Sequence, residues 1–222
     1  MRYLDLLTAL FATVLLVSNV ASTKLVVLGP FTFDGGTLLF PLAYIFGDVL
    51  TEVYGYRKSR RVIWIGFFAL LLATLTFQAV AHLPAPPDAE SQRFGEAFGL
   101  LLGRTPRIVL GSLLAYFLGE FANAYVLAKL KVRTEGRFFW LRALASTLVG
   151  QGLDTGVFLL VAFYGVFPKE VLLAVFLSNY AFKLGVEALM LPFTYAVVGF
   201  LKRAEGMDAY DRDTDFNPFR LT

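Results

Sequence analysis

The chain has no cysteine and a single histidine, His82. The first absence removes disulfides and thiolate chemistry, and the second removes His-rich metal sites and any relay of imidazoles. Charge is scarce as well. Asp, Glu, Lys and Arg make up 17% of 222 residues, against 57% hydrophobic residues and a mean hydropathy of +0.66. A surface wetted on all sides could hardly be built from that balance. The chain therefore reads as an integral membrane protein. Three catalytic signatures are missing too: the phosphate-cradling GxxxxGK[ST], the zinc-binding HExxH and the nucleophile elbow GxSxG. Ser146 is the one hydroxyl worth weighing as a nucleophile, and at helical offsets it finds no base except Asp154. No catalytic residue, metal or cofactor is expected. The net charge is only +3, with the basic residues gathered in a few loops, which points to membrane topology and away from nucleic acid.

Long apolar runs are what the chain has in abundance. Six of them approach the roughly 20 residues that an α-helix needs to cross a bilayer core. They fall at about 4–23, 37–55, 62–82, 108–129, 143–165 and 170–200, the last able to tilt or break at Pro192. The runs are continuously apolar, not alternating, which disfavours membrane-spanning strands. The fold class expected is an all-α integral membrane protein, a compact bundle of six transmembrane helices in a domain of residues 1–203 with a polar cytoplasmic tail, 204–222. With the N-terminus inside, fourteen Lys and Arg lie on the cytoplasmic side and five on the other, so both ends are expected in the cytoplasm. A cleaved signal peptide fits residues 1–23 poorly, because Arg2 is followed closely by Asp5 and "SNVAST" is a poor cleavage site. Residues 83–107 read as a Pro-rich external loop. Gly95, Gly99 and Gly103 leave a short interfacial helix and a flexible loop both open there.

An ionisable group near the bilayer centre costs something like 2.5–3.5 kcal/mol, so each one needs a partner or a hydrated cavity. Tyr44, Asp48 and Thr51 share one face of the second run, flanked by Glu52. Tyr116, Glu120 and Asn123 repeat that spacing in the fourth, and Thr147, Gln151 and Asp154 in the fifth, where Gly152 and Gly156 let a neighbour approach closely. The sixth adds Ser178, Asn179, Lys183 and Glu187, and the first adds Ser18, Asn19 and Lys24. The simplest arrangement turns all these stripes towards one shared interior. Asp48, Glu52, Glu120, Asp154 and Glu187 there outnumber Lys24, Lys183 and Arg142, a surplus that suits a ligand with hydrogen-bond donors, a cation, or bound protons. Plainer readings exist. Asp48 and Glu52 could pair with Arg57, Arg60 or Arg61 at the membrane boundary, Lys183 and Glu187 could be a structural pair, and Lys24 could snorkel. "AYIFGDVLT" echoes "AYFLGEFAN", "LLFPLAY" echoes "LMLPFTY", and "SNVASTK" echoes "SNYAFK", echoes consistent with descent from repeated helical hairpins.

The stretch "SNVASTKLVVLGPFTFDGGTLLFPLAYIFGDVLTEVYGYRKSRRVIWIGF", together with "GEFANAYVLAKLK", "LRALASTLVGQGLDT", "FKLGVEALMLPFTY" and "LKRAEGMDAYDRDTDFNPF", resembles the queuosine precursor transporters. These are a branch of the vitamin uptake transporter group of six-helix inner-membrane proteins. The resemblance covers nearly the whole chain and departs at Gln151, where an acid is expected in many relatives. It implies uptake of 7-deazaguanine bases, the 7-cyano and 7-aminomethyl precursors of a tRNA modification, across the inner membrane. A carboxylate can accept the paired N–H and amino donors of such a base. On this view Asp48 or Asp154 takes the base edge, Glu120, Asn123 and Asn19 add hydrogen bonds, and Phe40, Tyr44 or Tyr116 stack on the ring. Lys183 holds Glu187 or Asp154 in place, and Glu52 faces the gate while the basic residues behind it pin the helix end to the inner leaflet. The carrier works by alternating access without its own ATPase. Proton coupling through Asp48 or Glu120 is open, as are a homodimer and another purine-like or vitamin solute. The substrate-binding subunit of an ATP-driven uptake complex is an alternative, disfavoured because Ala9 and Ala12 lack the AxxxA spacing of a docking patch. A membrane scaffold or a channel would be a different class of protein, and saturable uptake with competition separates the carrier from both.

Overall fold

The computed structural model describes residues 1–28, 31–103 and 106–220, the side chains at 25, 28, 31–34, 37, 40, 41 and 44 excepted. Among the described residues the fold is helical apart from a small hairpin and an isolated bridge between Tyr164 and Phe167. Helix α1 (Leu4–Ala21) leads into strands β1 (Leu25–Leu28) and β2 (Phe31–Asp34), a 3-10 turn (Gly35–Leu39) and α2 (Phe40–Tyr54). Then come α3 (Tyr56–Ala81), α4 (Ala89–Leu102), α5 (Pro106–Arg133), α6 (Phe139–Phe163) and α7 (Lys169–Glu205). Five of these, α1, α3, α5, α6 and α7, are long and apolar enough to cross a membrane. The protein is a multi-pass membrane protein.

The second apolar run departs most from its expected form. The sequence predicts a helix over 37–55, yet α2 has 15 residues and so a length of about 22 Å. The chain ahead of it is an antiparallel hairpin, Leu25 opposite Asp34 and Leu28 opposite Phe31, followed by the 3-10 turn. That turn is seated on the end of α1: Ser18 Oγ donates to the Gly36 carbonyl at 3.2 Å, and a Cβ on Gly35 would stand 2.7 Å from the Ala21 carbonyl oxygen. Only glycine lets the backbone come so close. At its other end α2 stops at Gly55, with φ 81°, and α3 begins at once in a new direction.

One end of the bundle gathers many chain ends. The backbone N–H groups of Arg2 and Tyr3 donate to the Glu205 carboxylate at 2.9 and 2.7 Å, and the Tyr54 hydroxyl donates to it at 2.9 Å. The start of α1, the end of α2 and the end of α7 thus meet. Lys131 near the end of α5 and Arg142 near the start of α6 join them through Glu52. Between these points α7 runs through Pro192 without a break, and α4 is a helix whose N-cap Asp88 accepts from the Ser91 N–H at 2.8 Å.

Helices α5 and α6 pack backbone to backbone. A Cβ on Gly119 would lie 2.8 Å from Asp154 Cβ, and one on Gly150 would lie 2.8 Å from Asn123 Cβ. This reciprocal pair, not Gly152 and Gly156, makes the closest approach. Gly152 and Gly156 instead receive Tyr180 and Phe176 of α7 at 3.6 Å, two rings stacked with centroids 5.4 Å apart. The closeness of α5 and α6 brings their two polar stripes face to face.

The sequence of the tail predicts only a polar segment too short for a domain. It is an ordered strap. Ala209 N–H bonds to the Val53 carbonyl, and Asp211 takes the first N–H of α3. Beyond them Phe216 packs on Tyr56 and Tyr125 with centroids at 4.8 and 5.2 Å. Arg60 holds the carbonyls of Asp215 and Asn217 at 2.8 and 2.7 Å, and Trp64 Nε1 donates to the Pro218 carbonyl at 2.7 Å. Tyr56, Arg60 and Trp64 are four apart, so the strap follows one face of α3.

Candidate functional site

The polar stripes of α2, α5, α6 and α7 converge. Asp48 and Glu187 are 2% and 4% exposed, and their carboxyl groups lie close enough to interact, with the Asn123 amide beside Asp48 and the Thr147 hydroxyl beside Glu187. Glu120 and Asn123 come up against α2 at its one glycine: a Cβ on Gly47 would be 3.6 Å from both Glu120 Oε2 and Asn123 Nδ2. On the far side Lys183 Nζ donates to Asp154 Oδ2 at 2.8 Å and to Thr155 Oγ1 at 3.3 Å. Of the two structural roles foreseen for Lys183, the structure has the one with Asp154. Glu187 turns to Asp48.

Two features give this cluster its chemistry. First, Asp48, Glu120, Asp154 and Glu187 face a single cation, Lys183, among the described residues. Second, Asp48 Oδ1, Asn123 Oδ1, Gln151 Oε1 and Glu187 Oε2 are buried acceptors with no hydrogen-bond donor among the described residues. Leaving such an atom dry and unpaired costs about 1–3 kcal/mol. Asp48, Asn123 and Glu187, from three helices, stand together and ask for donors, and Gln151 follows Thr147 by one turn of α6. The form seen is shut: the void beside Gly47, Glu120 and Asn123 is about 10 Å³.

Other residues expected at the site make different contacts or are not described. Tyr116 is buried and turned towards α3. Its hydroxyl donates to the Ile63 carbonyl at 3.0 Å, and it stands where a Cβ on Gly66 would be, so the ring locks α5 to α3. Asn19 lines a separate void of about 20 Å³ with Thr74 and Ser112, away from Asp48. The side chains of Phe40 and Tyr44 lie outside the described residues. Lys24 is exposed.

Glu52 is buried in an ion cluster. Arg142 grips it with both terminal nitrogens, at 2.5 and 3.2 Å, and Lys202 and Lys131 stand 2.7 and 3.5 Å from Oε1. Lys131 also donates to the Glu52 carbonyl, and both lysines bind Asp208 of the tail. Burial pushes the Asp208 carboxyl up, but the Lys131 and Lys202 ammonium groups outweigh it and hold the group below its ordinary range. The partners foreseen for Glu52 and Asp48 were Arg57, Arg60 and Arg61. None of them takes part, because the break at Gly55 turns α3 away from the acidic face of α2 and commits Arg60 to the tail, while Arg57 and Arg61 are exposed. Lys131, Lys202, Asp208 and Asp211 were missed. Lys131 sits in "KLKVR", which reads as a loop-flanking basic run, and the only signal available was its helical register with Ala124 and Ala128 on the buried face.

Comparison with known proteins gives this geometry a context. Residues 34–197 match the family described as "Putative vitamin uptake transporter". The chain is 36% identical over 188 residues to the "Probable queuosine precursor transporter" of Bacillus subtilis, covering 84% of this chain and 80% of that one. It is 27% identical over 168 residues to the "Queuosine precursor transporter" of Escherichia coli, covering 73% and 71%. It is 26% identical over 166 residues to the "Probable queuosine precursor transporter" of Haemophilus influenzae, covering 73% and 67%. No solved structure matches. With acids and amides from four helices closing on one membrane interior, and with these relatives along most of its length, the chain belongs to the queuosine precursor transporter family of the vitamin uptake transporters.

Proposed function

We propose that the protein imports a queuosine precursor, a 7-deazaguanine base, across the inner membrane by alternating access around the Asp48–Glu187 cluster. The observation that carries this reading is the set of four donor-hungry acceptors, Asp48 Oδ1, Asn123 Oδ1, Gln151 Oε1 and Glu187 Oε2. A planar base with an N–H beside an amino group brings the donors they lack, held to charged groups more firmly than to neutral ones. Asp48 is the better seat for that edge, since Asp154 already holds Lys183. Lys183 positions Asp154, and Glu120 adds an acceptor to the same chamber.

Six crossings with both ends in the cytoplasm fit the contacts. The start of α1 and the ends of α2 and α7 meet at Glu205, an arrangement that needs an even number of passes, and the hairpin and 3-10 turn complete the path of the short α2. That end also holds Arg60, Lys131, Arg142 and Lys202, as the cytoplasmic side of a membrane protein should. Opening there requires the Glu52 cluster and the strap to part.

The test is growth of cells that lack de novo synthesis of the base on labelled precursor, with queuosine in tRNA as the readout. Wild type should load tRNA. Asp48→Asn and Asp154→Asn should each lose at least about tenfold in uptake, the equivalent of one charged hydrogen bond. Normal loading by both variants would remove the site from this cluster.

A further inference from the structure

Asp48 on α2 and Glu187 on α7 face one another with little to neutralise them. Each has one carboxyl oxygen without a donor among the described residues. The elements packed around them supply few cations. From α5 come the neutral Asn123 and the acid Glu120, and from α6 the neutral Thr147 and the acid Asp154. On α7 the Lys183 ammonium is bonded to Asp154 and Thr155. Along α2 the next acid, Glu52, draws Lys131, Arg142 and Lys202 to itself. Helix α1 carries one charged residue, Asp5, in its first turn, and on α3 Arg60 is turned to the tail while Arg57 and Arg61 are exposed.

Two buried carboxylates side by side, with only the neutral Asn123 and Thr147 next to them, do not both stay charged, and a proton shared between them is what allows them to pack together here. A base edge that donates an N–H and an amino hydrogen needs the carboxylates bare. Proton and base therefore want the same seat.

We propose that Asp48 and Glu187 form a proton site from which the solute displaces the proton, so that the carrier exchanges one H⁺ for one monocationic base. The proposal rests on the reading above, that this cluster receives a 7-deazaguanine precursor. The charges balance: the proton departs to water, and the aminomethyl base brings one positive charge in its place, leaving the net charge of the closed interior as it was. A neutral cyano base would leave it one unit more negative in a medium that penalises uncompensated charge. The aminomethyl form is therefore the better exchange partner.

Purified protein in detergent and weak buffer, titrated with 7-aminomethyl-7-deazaguanine, provides the measurement. Binding should release about one proton per base, and affinity should weaken about tenfold for each pH unit below the titration of the pair. Glu187→Gln places a fixed neutral group on one side and should abolish both the release and the pH dependence of the binding that remains. If that variant does not bind or fold, the wild-type proton count decides alone. Wild-type binding without proton release overturns the exchange and leaves base transport intact. Absence of both binding and vesicle counterflow of labelled base overturns transport itself, and the exchange with it.

Discussion

The carboxylate of Asp211 accepts a hydrogen bond from the backbone N–H of Tyr56 at 2.9 Å, so the tail supplies the cap of a helix whose own N-cap residue, Gly55, has no side chain to offer. Loss of an N-cap acceptor costs about 1 kcal/mol. Asp211→Ala should lower the melting temperature in detergent, while Asp211→Asn, whose amide oxygen can still accept, should recover most of the loss. Equal melting of all three proteins would show that the strap does not stabilise α3.

Glu52 balances three cations at once. Removing its charge leaves Arg142, Lys131 and Lys202 crowded around a neutral amide, and breaking a buried pair from one side costs about 3–5 kcal/mol. Glu52→Gln should therefore reduce folded yield and thermal stability. A well-folded Glu52→Gln protein with a selective defect in uptake would instead return Glu52 to the solute path.

The seam between α5 and α6 admits no extra methyl group at Gly119 or Gly150. Gly119→Ala and Gly150→Ala each place a Cβ 2.8 Å from a neighbouring Cβ, so each should cost about 1–3 kcal/mol and depress uptake by separating the acids of the two helices. Gly185→Ala meets nothing within 4 Å and should leave melting and uptake unharmed. The contrast among three identical substitutions isolates the seam.

Tyr116→Phe should cost about 1 kcal/mol of stability, the worth of the bond to the Ile63 carbonyl, and leave the KM for uptake unchanged. A raised KM with unaltered melting would put the ring back against the solute.

Spacing in the sequence is enough to turn Asp48, Glu120, Asn123, Asp154 and Glu187 towards one another, because the cost of burying polar groups in a membrane forces such stripes inward. It was not enough to distinguish Tyr116 from them. A tyrosine in register with a polar stripe can use its hydroxyl on a backbone carbonyl one helix away, and carbonyls leave no trace in a sequence. The strap escaped notice for the same reason: Arg60 and Trp64 bind the carbonyls of Asp215, Asn217 and Pro218, and nothing in those side chains announces it. The shortness of α2 was concealed by a different effect. Residues 37–55 are evenly apolar, and an apolar run cannot say where a 3-10 turn gives way to an α-helix.

Trp64 is one of two tryptophans in the chain, its indole N–H fastened to Pro218 and its ring bordered by Phe219 at 6.0 Å, whereas Trp140 is 48% exposed. With Trp140 replaced by phenylalanine, the protein would carry a single tryptophan, at the far end of its strap. Its emission would shift as the strap lifts, giving an optical record of that end of the bundle without any attached dye.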